Sequence, residues 1–197
     1  GMLALSTLLA AQPSSKVATA TRLDAPVRID GRLDEAVWSR LTPIEDFVQG
    51  RPVPSSTPSE RTQVYLAYDD EALYIGARLW RTNPDEIARG LSRRDGSTNV
   101  ERFTVTLDPQ RNRRTGVGFG ISAAGTRTDH QHTQDSDHEG RESQFDPVWT
   151  AVAVIDSLGW TAEMRIPFSQ LRFPAADVHE WGVQFDRWMP DKNEDLS

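Results

Sequence analysis

Apolar and polar side chains alternate with a period of two through most of this chain. Val64, Leu66 and Tyr68 alternate with Tyr65 and Ala67. After the acidic turn Asp69-Asp70-Glu71, Leu73, Ile75, Ala77 and Leu79 alternate with Tyr74, Gly76, Arg78 and Trp80. Successive side chains of a strand point to opposite sides of a sheet, so two such runs predict a hairpin with one buried face. The same period recurs in Phe103/Val105/Leu107, Val117/Phe119/Ile121, Trp149/Ala151/Ala153/Ile155, Trp160/Ala162/Met164/Ile166 and Trp181/Val183/Phe185, with Asp-, Asn-, Gly- and Pro-rich turns between. Seven or more strands in one chain of this length predict an all-β fold, an antiparallel β-sandwich (jelly-roll-like) with a few short helices. One helix is expected where Asn83 can cap, Pro84 can open the first turn, Glu86 follows and Gly90 can stop it. A second is expected over Asp34–Arg40, turning Ala36, Val37 and Trp38 onto the core. RPVPSSTPSER at 50–60 reads as a loop.

Composition narrows the function classes. The 197 residues carry 29 acidic and 22 basic side chains, a net charge of −7, which lacks the clustered basic face that nucleic acid requires. No apolar run approaches the ~20 residues of a membrane-spanning helix. Six Trp, seven Phe and three Tyr spread along the chain argue for a packed core rather than disorder. The absence of cysteine removes disulfides, thiolate metal sites and cysteine nucleophiles together. Gly1 ahead of Met2 reads as a remnant of tag cleavage. MLALSTLLAA at 2–11 followed by QPSSK reads either as the end of a secretory leader without its basic head or as an N-terminal helix. The expected organisation is a leader-derived segment at 1–20, one sandwich domain at 21–195, and a natural chain that continues beyond 197.

The positions opposite the core are the informative ones for function. They are Tyr74, Arg78 and Trp80; Thr104 and Thr106; Gly116, Gly118, Gly120 and Ser122; Glu163 and Arg165; and Gln184, Asp186 and Trp188. Three glycines at alternate positions strip the side chains from one face of one strand, leaving a trough where a ligand or another segment can approach the backbone. Aromatic surfaces beside planar polar groups are what sugars require, flat faces for their C–H patches and paired groups for their hydroxyls. The expected ligand-binding set is therefore Trp80, Arg78, Glu163, Arg165, Gln184, Asp186 and Trp188 on one polar face. The competing reading is a solvated face whose Glu163 and Arg165 pair with neighbours, its glycines serving sheet curvature.

DHQHTQDSDHEGRESQFD at 129–146 is a polar insert. Asp135, Asp137, Glu139, Gly140 and Asp146 approximate the spacing of a calcium loop, in which oxygens converge from alternate positions around a glycine turn. Glu at the fifth place, Asp at the twelfth and the charged Glu142 depart from that pattern. His130, His132 and His138 with a carboxylate offer zinc as an alternative, and a simply solvated loop is the third. No nucleophile elbow, phosphate loop or HExxH is present, and no two carboxylates are marked as an unequal catalytic pair.

VRIDGRLDEAVW at 27–38 resembles the opening signature of family-9 carbohydrate-binding modules and their DOMON-like relatives, as does TQVYLAYDDEALYIGARLW at 62–80. ERFTVTLDPQRNRRTGVGFGIS at 101–122, GWTAEMRIPFSQLRF at 159–173 and WGVQFDRWMPDKNED at 181–195 resemble the later blocks in order. The wording is similar to a branch found at the N-terminus of bacterial outer-membrane-associated proteins of unknown function. The resemblance implies a β-sandwich, sugar binding, structural calcium and export to the periplasm or outer membrane. It also implies two Trp around a terminal sugar ring, yet RRDGSTNV at 93–100 has no Trp and the second place would fall beyond Asp195. The family's Arg and Asn fall on Gly120 and Ser122, and its acidic contact on Thr104. The expectation is a non-catalytic carbohydrate-binding-like module of an exported protein. The alternatives are a docking domain for its own C-terminal region or an envelope partner, and a glycoside hydrolase.

Overall fold

The computed structural model describes residues 16–87, 99–133 and 146–197. Its strands form two sheets packed face to face. One has five strands in the order β1 (Thr21–Arg22), β3 (Thr62–Tyr68), β4 (Ala72–Trp80), β9 (Gly159–Pro167) and β8 (Thr150–Asp156). The other has six in the order β2 (Gln49–Arg51), β11 (Glu194–Leu196), β10 (Gly182–Met189), β5 (Arg102–Asp108), β6 (Thr115–Ser122) and β7 (Arg127–Thr133). All pairs are antiparallel except β1 with β3. The predicted all-β sandwich is the fold.

Alternation decides what fills the space between the sheets. Ile75, Ala77 and Leu79 of β4 and Trp160, Ala162, Met164 and Ile166 of β9 are fully buried, and face Phe103, Val105, Phe119, Ile121 and Met189 of the second sheet. Phe103 and Phe185 lie nearly parallel with centroids 6.2 Å apart. At one end this core takes in charge. The fully buried Arg187 donates to Glu101 at 2.7 Å, to the Trp80 carbonyl at 2.7 Å and to Thr62, while the Trp160 indole donates to the same Glu101 oxygen at 2.8 Å. Such a pair survives desolvation because carbonyl and hydroxyl acceptors take up the remaining Arg187 N–H groups and the Trp160 indole donates to Glu101.

The short helix α1 (Ala36–Arg40) forms where predicted but packs elsewhere. Val37 and Trp38 do not enter the space between the sheets. With Ala67, Ala72 and Tyr74 they make a second apolar cluster on the outer side of the five-stranded sheet, joined by Leu23, Val27, Ile29 and Leu33. Ala36 is exposed. Residues 23–41 thus form a strap across that sheet. Gly76 is the flat spot that admits it, since a Cβ there would lie 2.9 Å from Leu33 and 3.1 Å from the Trp38 ring.

The helix expected from Asn83 is a single 3-10 turn, Pro84–Glu86; Asn83 bonds the Glu86 carboxylate at 2.8 Å instead of capping backbone N–H groups. Three strands arise where loop or tail was expected: β2 overlapping the start of the Pro/Ser stretch, β7 running into the polar insert, and β11 after the turn at Asn193.

Candidate functional site

Pairing register divides the expected ligand residues between opposite sides of the sandwich. Arg78, Trp80, Glu163 and Arg165 face outward from the five-stranded sheet, whereas Gln184, Asp186 and Trp188 face outward from the six-stranded one. The expectation of one continuous polar face is therefore corrected. Alternation tells which residues point away from the core but not which sheet carries them.

On the five-stranded sheet these side chains hold the protein together. Glu163 is 0% exposed and lies beneath the strap. Its Oε2 accepts the backbone N–H of Asp30 at 2.9 Å and of Gly31 at 2.8 Å, and its Oε1 accepts the Trp38 indole at 3.0 Å. Gly31 sits at φ +85, in the left-handed region, which aims its N–H at the carboxylate. Burial pushes the Glu163 carboxyl up to about 7; the nearby Glu35 adds to that, and the N–H donors oppose it. Arg78 makes a two-pronged pair with Asp156 at 2.6 and 2.8 Å, holding that carboxyl below its ordinary range. Arg165 donates to Tyr74 at 3.1 Å and Glu71 at 2.8 Å. The Trp80 ring is covered by the guanidinium groups of Arg61 at 4.5 Å and Arg78 at 5.4 Å. A sugar would have to displace them.

The six-stranded sheet presents polar rows at right angles to its strands. One row runs Gln184, Thr106, Gly118, His130, and the next runs Asp186, Thr104, Gly120, Thr128. Trp188 and Arg102 begin a third. Among the described residues the apolar clusters are two, one between the sheets and one beneath the strap. Neither cluster lies over the outward side of this sheet, where Gln184 and Arg102 are exposed. Gln184 donates to Asp186 at 2.8 Å. Trp188 lies under Arg51 at 5.0 Å, itself held by Asp195 at 2.6 Å, and its indole reaches Asn99 at 3.4 Å.

The glycine trough is real in the backbone but filled from the side. A Cβ on Gly118 would lie 2.2 Å from the His130 ring, and one on Gly120 would lie 2.5 Å from the Thr128 hydroxyl and 3.1 Å from that of Thr104. Thr128 and His130 thus belong to the face and were missed as such. Their strand, RTDHQHT, has no apolar alternation, so it reads as part of a polar loop; only the glycines opposite hint at a partner strand.

Asp135, Asp137, Glu139 and His138 lie outside the described residues, whereas Asp146 lies in the chain before β8. Among the described residues no three His, Asp or Glu side chains gather as a metal would require, and no helix is long and apolar enough to cross a membrane. A cleft of about 960 Å³ is lined by residues that include Gln184, Ile44, Phe47, Leu66, Val183 and Phe185. Its lining is mixed, with Lys16, Thr42, Glu45 and Asp46 beside those apolar groups.

Two stacked sheets, with a helical strap outside one and polar rows outside the other, make this a two-sheet β-sandwich. No protein-family model matches the chain, and no curated protein matches it. Solved structures share the fold. A family-9 carbohydrate-binding module from Caldicellulosiruptor kristjanssonii in complex with glucose superposes with a TM-score of 0.62 at 17% identity, over 90% of this chain and 83% of that one. The family-9 module in complex with cellotriose, from the same organism, gives 0.59 at 18% identity, covering 90% and 80%. A Bacteroides uniformis protein proposed to bind carbohydrate gives 0.66 at 11% identity, covering 90% and 86%.

Proposed function

We propose that this domain is a non-catalytic carbohydrate-binding module that takes glycan on the outer face of its six-stranded sheet. The observation that carries the reading is the pair of polar rows on the outer face of the six-stranded sheet, over which no apolar cluster of the described residues lies. Carboxylate, carboxamide, hydroxyl and imidazole groups alternate there at strand spacing, with Trp188 at the edge. This suits a ligand with hydroxyl groups on every ring carbon, since each row offers donors and acceptors a few ångströms apart. The solved relatives in fold, complexed with glucose and cellotriose, support sugar as the ligand class. The apolar run at 2–11, read as a leader, adds that the domain works outside the cytoplasm.

A thermal-shift panel of mono- and oligosaccharides tests the reading. A sugar at about 100 times its dissociation constant stabilises the folded chain by about 2.7 kcal/mol, several degrees for a domain of this size. Gln184→Ala and Trp188→Ala are expected to abolish the shift, while Trp80→Ala, on the opposite sheet, leaves it in place. No shift with any sugar, or a shift lost only with Trp80→Ala, would sink the assignment.

A further inference from the structure

Among the described residues the sandwich has four sheet edges, and three of them carry features that resist further pairing. β1 has two residues and β2 three, while β7 carries Arg127, Asp129 and His130 along its length. Short or charged edges resist the addition of another strand. β8 does not share these features. It is seven residues long, uncharged from Thr150 through Ile155, and among the described residues has one strand neighbour, β9.

Backbone direction shows which groups that edge offers. The Val154 carbonyl faces β9, where the Thr161 hydroxyl reaches it at 3.4 Å. Two peptide units before Ala151, the Trp149 carbonyl points the other way and accepts from Arg127 of the opposite sheet. By the alternation of an antiparallel strand, Ala151, Ala153 and Ile155 aim their N–H and C=O groups outward. The core is unfinished at this edge too. The inward side chains of β9 are completely buried, whereas Ala151, Ala153 and Ile155 on β8 are only half-buried. Val148 at 76% exposure and Leu158 at 57% flank the strand.

We propose that β8 is a self-association edge, pairing antiparallel with β8 of a second copy of this chain about a two-fold axis at Ala153. That register sets Ala153 against itself, Ala151 against Ile155, and Thr150 against Asp156. It brings Val148 of each copy toward Leu158 of the other, so the two exposed apolar residues at the strand's ends meet instead of facing water. It also keeps Asp156, neutralised by Arg78 at 2.6 Å, away from its own symmetry mate. A two-fold contact of this kind is closed and stops at the dimer. One strand edge buries less than the roughly 1,200 Å² typical of stable complexes, so the dimer is weak and reversible.

Sedimentation of the full chain over two decades of concentration tests this. The weight-average mass is expected to rise from 22.1 kDa toward twice that value. Amide exchange at Ala151, Ala153 and Ile155 is expected to slow as concentration rises. Val148→Lys combined with Leu158→Lys sets like charges together at both ends and is expected to weaken the dimer at least about tenfold, 1.4 kcal/mol. Val148→Lys combined with Leu158→Glu sets opposite charges together and is expected to restore it. Both positions are exposed, so circular dichroism and melting temperature should match the wild type. A monomer at every concentration overturns the proposal, as does a dimer indifferent to the like-charged pair.

Discussion

Glu163 illustrates how a single carboxyl can hold two elements together at a cost that depends on pH. All three of its hydrogen-bond partners are N–H donors, which favour the ionised form, yet full burial raises its pKa from the ordinary 4.5 to about 7. The folded chain therefore binds this proton more tightly than the unfolded chain. Stability from this group is complete below about pH 4.5 and is lost as the pH rises through about 7. The loss is on the order of 3 kcal/mol, two to three pKa units of differential proton binding. Urea unfolding between pH 5 and 8 should show stability falling toward neutrality, and Glu163→Gln should flatten that slope. The amide keeps one oxygen for Asp30 and Gly31; its NH₂ replaces the oxygen that accepted from the Trp38 indole, which retains Glu35 as an acceptor at 3.2 Å. Equal slopes in the two proteins would mean that Glu163 titrates as an ordinary carboxyl.

At the scale of elements the strap is the most informative piece. Five residues make too short a helix to stand alone, so α1 exists because Trp38, 2% exposed, is wedged between Gly76 and the Glu163 carboxylate. Trp38→Ala is expected to cost about 3–5 kcal/mol, the usual range for emptying a large aromatic site, and to open 23–41 to protease, read as shorter, faster-migrating fragments cut within that segment. The helix itself was legible from its Ala-Val-Trp pattern, but its address was not. An apolar face says that something is covered, and both sides of the five-stranded sheet were candidates. The opposite failure occurred in β7. Its residues Arg127–Thr133 carry no apolar period because one side meets the core edge through Arg127 and Asp129 and the other covers the glycines of β6. Pairing gives that segment its structure, and pairing is not written in a single strand's alternation.

Across the whole molecule, the strands and their buried faces were legible because burial on one side imposes the period of two directly on the sequence. The site was legible only by halves. Gln184, Asp186 and Trp188 were placed correctly outside the core, but strand order put Arg78, Trp80, Glu163 and Arg165 on the far side of about two sheet thicknesses. That separation makes the two outer faces energetically independent, which is testable with two glycines. Gly76→Ala drives a methyl group against Trp38, which is packed too tightly to move, and is expected to cost about 1–3 kcal/mol without changing sugar affinity. Gly118→Ala drives a methyl group against the end of the His130 ring, which must shift to admit it, so a smaller stability cost than that of Gly76→Ala is expected. The displaced imidazole nevertheless alters the middle of the polar row, so sugar affinity should change. In the double variant the stability changes should add to within about 0.5 kcal/mol, as expected for sites that share no partner. Calorimetric titration and urea unfolding of the three proteins measure both quantities. A Gly76→Ala protein that loses sugar binding while remaining folded would place the ligand beneath the strap instead of on the open sheet.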